Sequence, residues 1–365
     1  MLETSLKILK KICDNNFDAY IVGGFVRDYL LDVNSLDVDI CTNATPKDLK
    51  IIFKDACLPH EDYGAITLLI KNIRFEITTF REELTYLNNR KPIEIKYIDN
   101  LYNDLLRRDF TINTICINKD GKVIDLLKAQ EDLNNKIIKT VGNSCVKFQE
   151  DSLRILRAIR FATILNFKLS NDVYIAINKN KYLLNSLSYH RKKQELGKIF
   201  ISNNRQVGIN LLKEFDLLES LHLVNIDKIK SFTDIVGVWA ILDVDNIYPF
   251  TNNEKELMIK IREVYNKKSI DNNTLYKYGL YISLIAGNLL GIKKEIINEQ
   301  YLKLPIKNKY DIKITSKEIC QILNKTPDSF IRDVYLDLEN KILNKRLENE
   351  EKKIIDYIKG AYENK

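Results

Sequence analysis

The order of apolar and polar positions divides the chain into two parts with different periods. Between residues 19 and 125, short apolar runs rich in β-branched and aromatic residues alternate with turn residues, which is typical of strands. Helical spacing occurs at 3–15, 26–31 and 46–53. The predicted strands are 19–22, 36–42, 65–70, 73–80, 93–97, 111–117 and 123–125. This pattern predicts an α+β first part with a mixed sheet.

After about residue 145 the apolar positions recur with the helical period of about 3.6 residues. The predicted helices are 148–165, 171–184, 190–202, 205–215, 253–266, 275–290, 317–323 and 329–343. No clean internal repeat interrupts this half. The fold class is therefore predicted as α+β at the N-terminal end, followed by an all-α remainder.

Composition narrows the choice of compartment and partner. The 365 residues exceed what one hydrophobic core usually spans, so we expect at least two domains. A net charge of +7 is compatible with a polyanionic partner. The six cysteines form no Cys-x-x-Cys pair, which favours reduced thiols. No signal-peptide core and no bilayer-length apolar run occur, so we expect a cytoplasmic protein with no membrane or evident protein partner.

The most informative stretch begins with a glycine pair after an apolar strand. Gly23 and Gly24 could let a phosphate chain approach the backbone, and Arg27 follows about one helical turn later. Asp37 and Asp39 alternate with apolar residues, so on a strand their carboxylates would share one face. Paired carboxylates beside a phosphate cradle suit a Mg²⁺-dependent phosphoryl-type transfer.

A second block, residues 107–113, begins with adjacent arginines before an aspartate. Such guanidinium groups can bind phosphate or ribose oxygens, although in isolation a surface ion-pair network at a strand start is the more ordinary interpretation. A third block, 150–160, places Asp151, Arg154, Arg157 and Arg160 over about half of a predicted helix. A solvated helix with ion pairs three residues apart would explain that block as well.

The third block also permits a sharper hypothesis about base choice. Cytosine and adenine present an amine donor beside a ring-nitrogen acceptor, and an Asp acceptor next to an Arg donor matches that pattern. Guanine and uracil present the reverse pattern and would leave buried polar groups unpaired. Asp151 and Arg154, if fixed together on a helix, could thus accept CTP and ATP and reject GTP and UTP.

In this order and spacing the three blocks resemble the class II tRNA nucleotidyltransferase (CCA-adding enzyme) and bacterial poly(A) polymerase family. The similarity covers about residues 20–199 and includes Glu-Ile-Thr-Thr-Phe-Arg at 76–81 and Arg-Lys-Lys-Gln-Glu-Leu-Gly-Lys at 191–198. Many members have His-Gly-Thr where this chain has Tyr63, Gly64 and Ala65, so any polar role of that threonine is absent here.

The resemblance implies a role for each matching residue. Gly24 and Arg27 would contact the triphosphate, Asp37 and Asp39 would bind two Mg²⁺ ions, and Glu76 would be a third catalytic carboxylate that supports the metal site or a general base. The remaining implied nucleotide contacts are Arg108, the base-reading pair Asp151 and Arg154, and the further contacts Arg157 and Arg160.

The family also implies a division of the chain and a reaction. We expect a nucleotidyltransferase head at 1–135, a helical neck for base recognition at 136–200, a helical body at 201–270 and a tRNA-binding tail at 271–365. The expected reaction is in-line attack of a tRNA 3′-hydroxyl on the α-phosphate of CTP or ATP. The helical half would hold the tRNA through shape and backbone contacts.

The product of that reaction is less strongly indicated. The 25 residues 82–106 resemble the flexible loop of members that add the whole CCA sequence, so we predict full CCA addition. Addition of CC or A alone, poly(A) synthesis on another RNA, and a non-catalytic RNA-binding protein with an inactive head are the alternatives. The intact Asp37, Asp39, Arg108 and Asp151 argue against the last of these.

Overall fold

The computed structural model describes residues 1–54, 57–60, 64–70, 73–87, 91–229 and 234–362, with the backbone alone at 57–60, 83–87 and 91–94. Tyr63 and residues 88–90, which entered the expectations above, lie outside the described residues. The chain separates into two compact units, Met1–Leu223 and Val224–Lys365.

The first unit contains all the strands found in the described part of the chain. Its first portion mixes both element types: α1 (Leu2–Cys13), β1 (Ala19–Val22), α2 (Gly24–Leu30), β2 (Val38–Thr42), α3 (Pro46–Ile52), β3 (Cys57–His60), β4 (Ala65–Ile70), β5 (Ile73–Thr79), β6 (Arg81–Leu87), β7 (Lys91–Tyr97), α4 (Leu101–Leu106), β8 (Cys116–Ile117), β9 (Val123–Ile124), α5 (Ala129–Asn134) and β10 (Ile137–Ile138). Its second portion is nearly all helical: α6 (Ser144–Glu150), α7 (Leu153–Leu165), β11 (Lys168–Leu169), α8 (Asn171–Asn180), α9 (Tyr189–Phe200) and α10 (Arg205–Glu214).

A mixed sheet forms the centre of this unit, which confirms the predicted α+β class. Its strand order is β3-β4-β5-β2-β1-β8-β9. β2 pairs in parallel with β5 and antiparallel with β1, so β2 lies inside the sheet. Apolar side chains of β1, β2 and β8 pack against Phe80 and Leu105 on one face of the sheet. The buried strand β2 therefore holds Asp39 at a fixed position.

Two predicted elements differ from the structure because side chains compete for the backbone hydrogen bonds. The predicted strand 111–117 is a 3₁₀ turn at Thr111–Asn113 followed by β8. The Thr111 hydroxyl donates to Asp132 Oδ2 at 2.7 Å, and the Thr114 hydroxyl donates to the Thr111 carbonyl at 2.7 Å. The bond from Thr114 to the Thr111 carbonyl is a local side chain-to-backbone bond, the kind that favours turns over strands.

The predicted helix 148–165 is also interrupted, between α6 and α7. Asp151 has an extended backbone (φ −140°, ψ 105°) and lies outside both helices. Its Oδ1 accepts a hydrogen bond at 3.1 Å from the amide of Leu153, the first residue of α7, so a local side-chain turn separates the two helices at this point. The expectation that Asp151 shares a helix with Arg154 was therefore wrong.

The segment 82–106, likened above to a flexible loop, contains most of an antiparallel pair of strands, β6 with β7, and then α4. The predicted strand 93–97 lies within β7, where Ile93, Ile95 and Tyr97 alternate with polar residues.

The second unit is helical throughout its described part. Its helices are α11 (Ile235–Leu242), α12 (Asn252–Lys267), α13 (Asn272–Leu289), α14 (Lys294–Leu302), α15 (Ser316–Leu323), α16 (Phe330–Leu343) and α17 (Glu351–Tyr362). Its core includes the fully buried Leu275, Ile319, Leu338, Ile354 and Ile358. Across the described residues, no helix combines the length and apolar character that crossing a bilayer requires.

Candidate active site

A cavity of about 350 Å³ brings together the glycine pair, the paired aspartates and arginines from both later blocks. It lies between α2, the start of β2, the segment after α4, and α7. Its lining residues are Gly23, Gly24, Phe25, Arg27, Asp28, Ser35, Asp37, Asp39, Arg108, Asp109, Asn113, Arg157, Arg160, Phe161 and Ile164. Residues more than a hundred positions apart thus share one pocket.

The carboxylates of the pocket lie at the start of β2. Asp39 is the second residue of the strand, and Asp37 precedes the strand by one residue. Glu76 on β5 is directly paired with Asp39 in the parallel ladder, which confirms its expected place on a neighbouring strand. The pocket walls partly desolvate Asp39 although its side chain stays exposed. This desolvation, opposed by Arg108 and reinforced by repulsion from Glu76 and Asp37, raises the pKa of Asp39. A cation placed here would relieve that repulsion.

The glycine turn approaches Asp39 more closely than any side chain would allow. Gly23 has φ +81°, in the left-handed region. A Cβ built on Gly23 would lie 2.9 Å from Asp39 Oδ2. The glycine therefore permits both the turn into α2 and the close approach of the backbone to the carboxylate.

Arg27 is the buried end of a hydrogen-bonded chain that links α2 to the segment after α4. Its Nε and Nη2 donate to Asp28 Oδ1 at 2.8 and 2.6 Å, and Nη1 donates to Asn113 Oδ1 at 2.8 Å. The Asn113 amide nitrogen then donates to Asp109 Oδ1 at 3.2 Å. These contacts fix the guanidinium plane of Arg27 at the pocket wall.

Asp109 connects this chain to α7. Its Oδ2 accepts from Arg157 Nε at 2.7 Å and also from Arg157 Nη2, while its Oδ1 accepts from the Phe110 amide at 2.8 Å. Burial acts to raise the pKa of Asp109, but Arg157 and the hydrogen-bond donors outweigh it and hold the pKa well below its usual range. Asp109 is therefore a permanently charged bridge between two parts of the first unit.

Arg108 is positioned from the other side by a buried carboxylate at the end of α4. Asp104 is fully buried, and its Oδ2 accepts from Arg108 Nη2 at 3.2 Å while its Oδ1 accepts from Arg107 Nε at 2.8 Å. Burial would raise the pKa of Asp104, but the two arginines lower it overall. The adjacent arginines are thus part of a buried network, as well as neighbours of the pocket.

Arg160 and Phe161 close the pocket along α7. Arg160 Nε lies 3.2 Å from Glu195 Oε2 on α9. Burial lowers the pKa of Arg160 to about 10, although Glu195 acts against it, so the side chain stays charged at neutral pH. Phe161 is 7% exposed and presents its ring to the neighbouring guanidinium groups.

Three of the predicted site residues are absent from the lining of the cavity: Glu76, Asp151 and Arg154. Asp151 is bound to Arg191 of α9, with Arg191 nitrogens at 3.3 and 3.2 Å from its carboxylate oxygens. Arg154 Nη1 donates to Glu150 Oε2 at 2.5 Å and to the Lys147 carbonyl at 3.0 Å. In this structure Asp151 and Arg154 therefore have separate partners.

The structure also adds residues that the site prediction left out, chiefly Asp28, Asp109, Asn113 and Phe161. The first three stand inside blocks already singled out by sequence, and their polar side chains beside arginines were the available signal. Phe161 has no such signal, because an aromatic residue on an amphipathic helix is usually core.

The carboxylates of Asp37 and Asp39 suit an open magnesium site, which substrate phosphates and water complete, and not a metal site enclosed by protein ligands. Among the described residues, no three His, Cys, Asp or Glu side chains converge to enclose a metal ion. Mg²⁺ is commonly held by one or two carboxylates plus substrate phosphates and water. Two carboxylates at the mouth of a pocket lined by arginines match that arrangement.

Three family profiles match the chain. Residues 19–139 match the profile described as Poly A polymerase head domain. Residues 166–223 match the probable RNA and SrmB-binding site of polymerase A, and residues 248–358 match a putative tRNA nucleotidyltransferase domain 2.

Relatives match over nearly the whole length. The CCA-adding enzyme of Ligilactobacillus salivarius is 32% identical, covering 99% of this chain and 97% of the relative. That of Staphylococcus epidermidis is 30% identical, covering 98% of both. The crystal structure of the Bacillus stearothermophilus CCA-adding enzyme in complex with CTP superposes with a TM-score of 0.87 at 26% identity, covering 98% of this chain and 96% of that one.

Proposed function

Because this chain belongs to the family of CCA-adding enzymes, we propose that its pocket binds CTP and ATP and transfers their nucleotides to the 3′ end of tRNA. The observation that carries this assignment is the cavity in which the carboxylates of β2 face arginines of α2 and α7. Pyrophosphate would be the second product, since the tRNA 3′-hydroxyl attacks the α-phosphate.

Asp37 and Asp39 are the proposed magnesium ligands, with Glu76 as a supporting carboxylate on the adjacent strand. Bound Mg²⁺ would supply activation of the 3′-hydroxyl and neutralisation of the departing pyrophosphate. Asp39 is suited to this role because desolvation, with repulsion from Glu76 and Asp37, raises its pKa in spite of Arg108, and a bound cation would offset both effects.

The triphosphate is assigned to the arginine wall and the glycine turn. Among the described residues, the lining carries four arginines (Arg27, Arg108, Arg157 and Arg160) and four aspartates (Asp28, Asp37, Asp39 and Asp109). Asp28 and Asp109 are already bound to arginines, so cations at the other two carboxylates would leave a net attraction for phosphates. Gly24 leaves the backbone accessible beside this wall.

Base choice is assigned to Asp151 and Arg154. Both would have to exchange their partners in this structure, Arg191 and Glu150, for the Watson–Crick edge of the incoming base. A base that matches the pair replaces the partners that Asp151 and Arg154 give up, so the exchange costs little. A mismatched base would leave buried polar groups unpaired, and that cost would reject it.

The residues of the pocket would contribute mainly by position and charge. Arginines held by fixed carboxylates would bind the triphosphate without reorganisation, in the ground state and in the transition state alike. The division into head (1–135), neck (136–200), body (201–270) and tRNA-binding tail (271–365) remains part of the proposal, as does a cytoplasmic location.

A single assay tests the reaction and its product. Purified protein is offered tRNA lacking its 3′ terminal nucleotides with CTP alone, ATP alone or both, and the products are separated at single-nucleotide resolution. Full CCA addition is expected with both nucleotides and CC with CTP alone. CC addition that never proceeds to A would contradict full CCA synthesis, and untemplated runs of A on a generic RNA would indicate a poly(A) polymerase.

A further inference from the structure

Phe161 is surrounded by cationic groups from two helices. The guanidinium carbon of Arg160 lies 4.2 Å from the ring centroid, that of Arg27 lies 5.1 Å away, and that of Arg157 lies 5.5 Å away. The ring is itself held from its edge by Phe110, with centroids 5.6 Å apart and planes at 77°. One aromatic side chain thus contacts three of the four arginines that line the cavity in the described structure.

The carboxylate partners of these arginines lie in different directions. Arg27 is bound to Asp28, Arg157 to Asp109, and Arg160 faces Glu195. The ring is the contact that all three share. Because the face of an aromatic ring is electronegative, it attracts guanidinium groups and offsets their mutual repulsion. Stacking of this kind uses no N–H donor of its own, so it adds to the hydrogen bonds of Arg27 and Arg157 without replacing them.

Arg160 depends on the ring most strongly. Its Nε and the Glu195 Oε2 are buried and close, yet neither atom has a hydrogen-bond partner among the described residues. Arg160 also has the shortest distance to the ring. Stacking on Phe161, in addition to the charge of Glu195, therefore orients this side chain.

We propose that Phe161 is a positioning residue whose ring holds Arg27, Arg157 and Arg160 in place for the nucleotide triphosphate. This inference rests on the proposed function of the pocket. It predicts a separable kinetic effect, because arginines that bind the triphosphate equally in ground and transition states affect KM more than kcat.

Phe161→Leu, which keeps an apolar side chain but removes the ring, is expected to raise KM for both CTP and ATP roughly tenfold while kcat changes less than about twofold. Phe161→Tyr keeps the ring and should restore KM to within about twofold of the wild type. Phe167→Leu is the matched control: Phe167 is also buried, at 5% exposure, and carries no cation contact in the described part of the chain. It should leave both KM values unchanged.

A second measurement does not depend on how well the leucine variant folds. Phenylalanines with one, two or three ring fluorines at position 161 nearly preserve shape but progressively weaken the negative face. KM should rise stepwise along this series and stay constant when the series is placed at Phe167. A constant KM at position 161, or losses confined to kcat, would overturn the proposed role. Wild-type protein that fails to extend tRNA would instead contradict the enzymatic function itself.

Discussion

Replacing Asp109 by asparagine removes the charge that joins Arg157 on α7 to the segment after α4 while keeping the shape of the side chain. In the native structure Asp109 accepts bonds from Arg157, Asn113 and the Phe110 amide. The substitution would leave Arg157 without a charged partner at this contact and would put an amide nitrogen where an acceptor is needed. Both effects destabilise the folded state.

The size of the effect follows from the burial of the pair. The side chain of Asp109 is 11% exposed and that of Arg157 is 32% exposed. Breaking a fully buried pair costs roughly 3–5 kcal/mol, and an exposed pair is worth at most about 1 kcal/mol. We therefore expect a loss of about 2 kcal/mol in the free energy of unfolding. For a unit of this size that corresponds to a Tm lower by about 4–8 °C.

Urea unfolding of the wild type, Asp109→Asn, Arg157→Gln and the double variant measures this contact as a double-mutant cycle. The expected coupling free energy is about 1.5–2 kcal/mol. The exposed Asp99, changed to asparagine, serves as a control that should alter stability by less than about 0.5 kcal/mol. A coupling below about 0.5 kcal/mol would refute the conclusion that this ion pair joins the two parts of the unit.

Three further predictions concern the carboxylates and the glycine turn. Asp39→Asn should reduce nucleotide incorporation more than about a hundredfold while Tm stays equal or rises, because the raised pKa of Asp39 shows that the folded state disfavours its charge; a lower Tm would contradict this. Gly23→Ala should destabilise more than Gly142→Ala, which has a similar positive φ but open space around its Cβ, and equal losses in urea unfolding would argue against the close approach to Asp39. Folding lowers the pKa values of Asp104 and Asp109, so both carboxylates stabilise the folded state fully above the unfolded pKa of about 3.9. That stabilisation is lost as the pH falls through the folded pKa values. Below about pH 4, Tm should therefore fall less steeply with pH in Asp109→Asn than in the wild type.

The sequence determined the local features that depend on neighbouring residues. Alternation of apolar residues around Asp37 and Asp39 predicted a strand with both carboxylates on one face. β2 confirms the strand and includes Asp39, but it starts two residues later than predicted and leaves Asp37 just outside. The change from strand-like to helical periods predicted the α+β class. Such periods record which face of an element is buried, and that information is local.

The sequence predicted secondary structure less well where a side chain can hydrogen-bond either to the nearby backbone or to a distant residue. Asp151 fits the helical pattern, yet its side chain accepts from the first amide of α7 and binds Arg191, forty positions away. Asn113 fits a strand, yet it lies in a 3₁₀ turn between Arg27 and Asp109. Hydrogen-bond competition of this kind depends on which elements pack together, so periodicity does not reveal it.

Only the tertiary structure decided what Phe161 contacts. Along the sequence Phe161 is one apolar position on an amphipathic helix, with nothing to mark it for a functional role. Packing of α7 against α2 and the segment after α4 places three guanidinium groups around its ring. The sequence specified which residues carry the chemistry, whereas chain folding decided which of them meet. The energy of an electrostatic contact depends on the distance between two groups in space and takes no account of their separation along the chain.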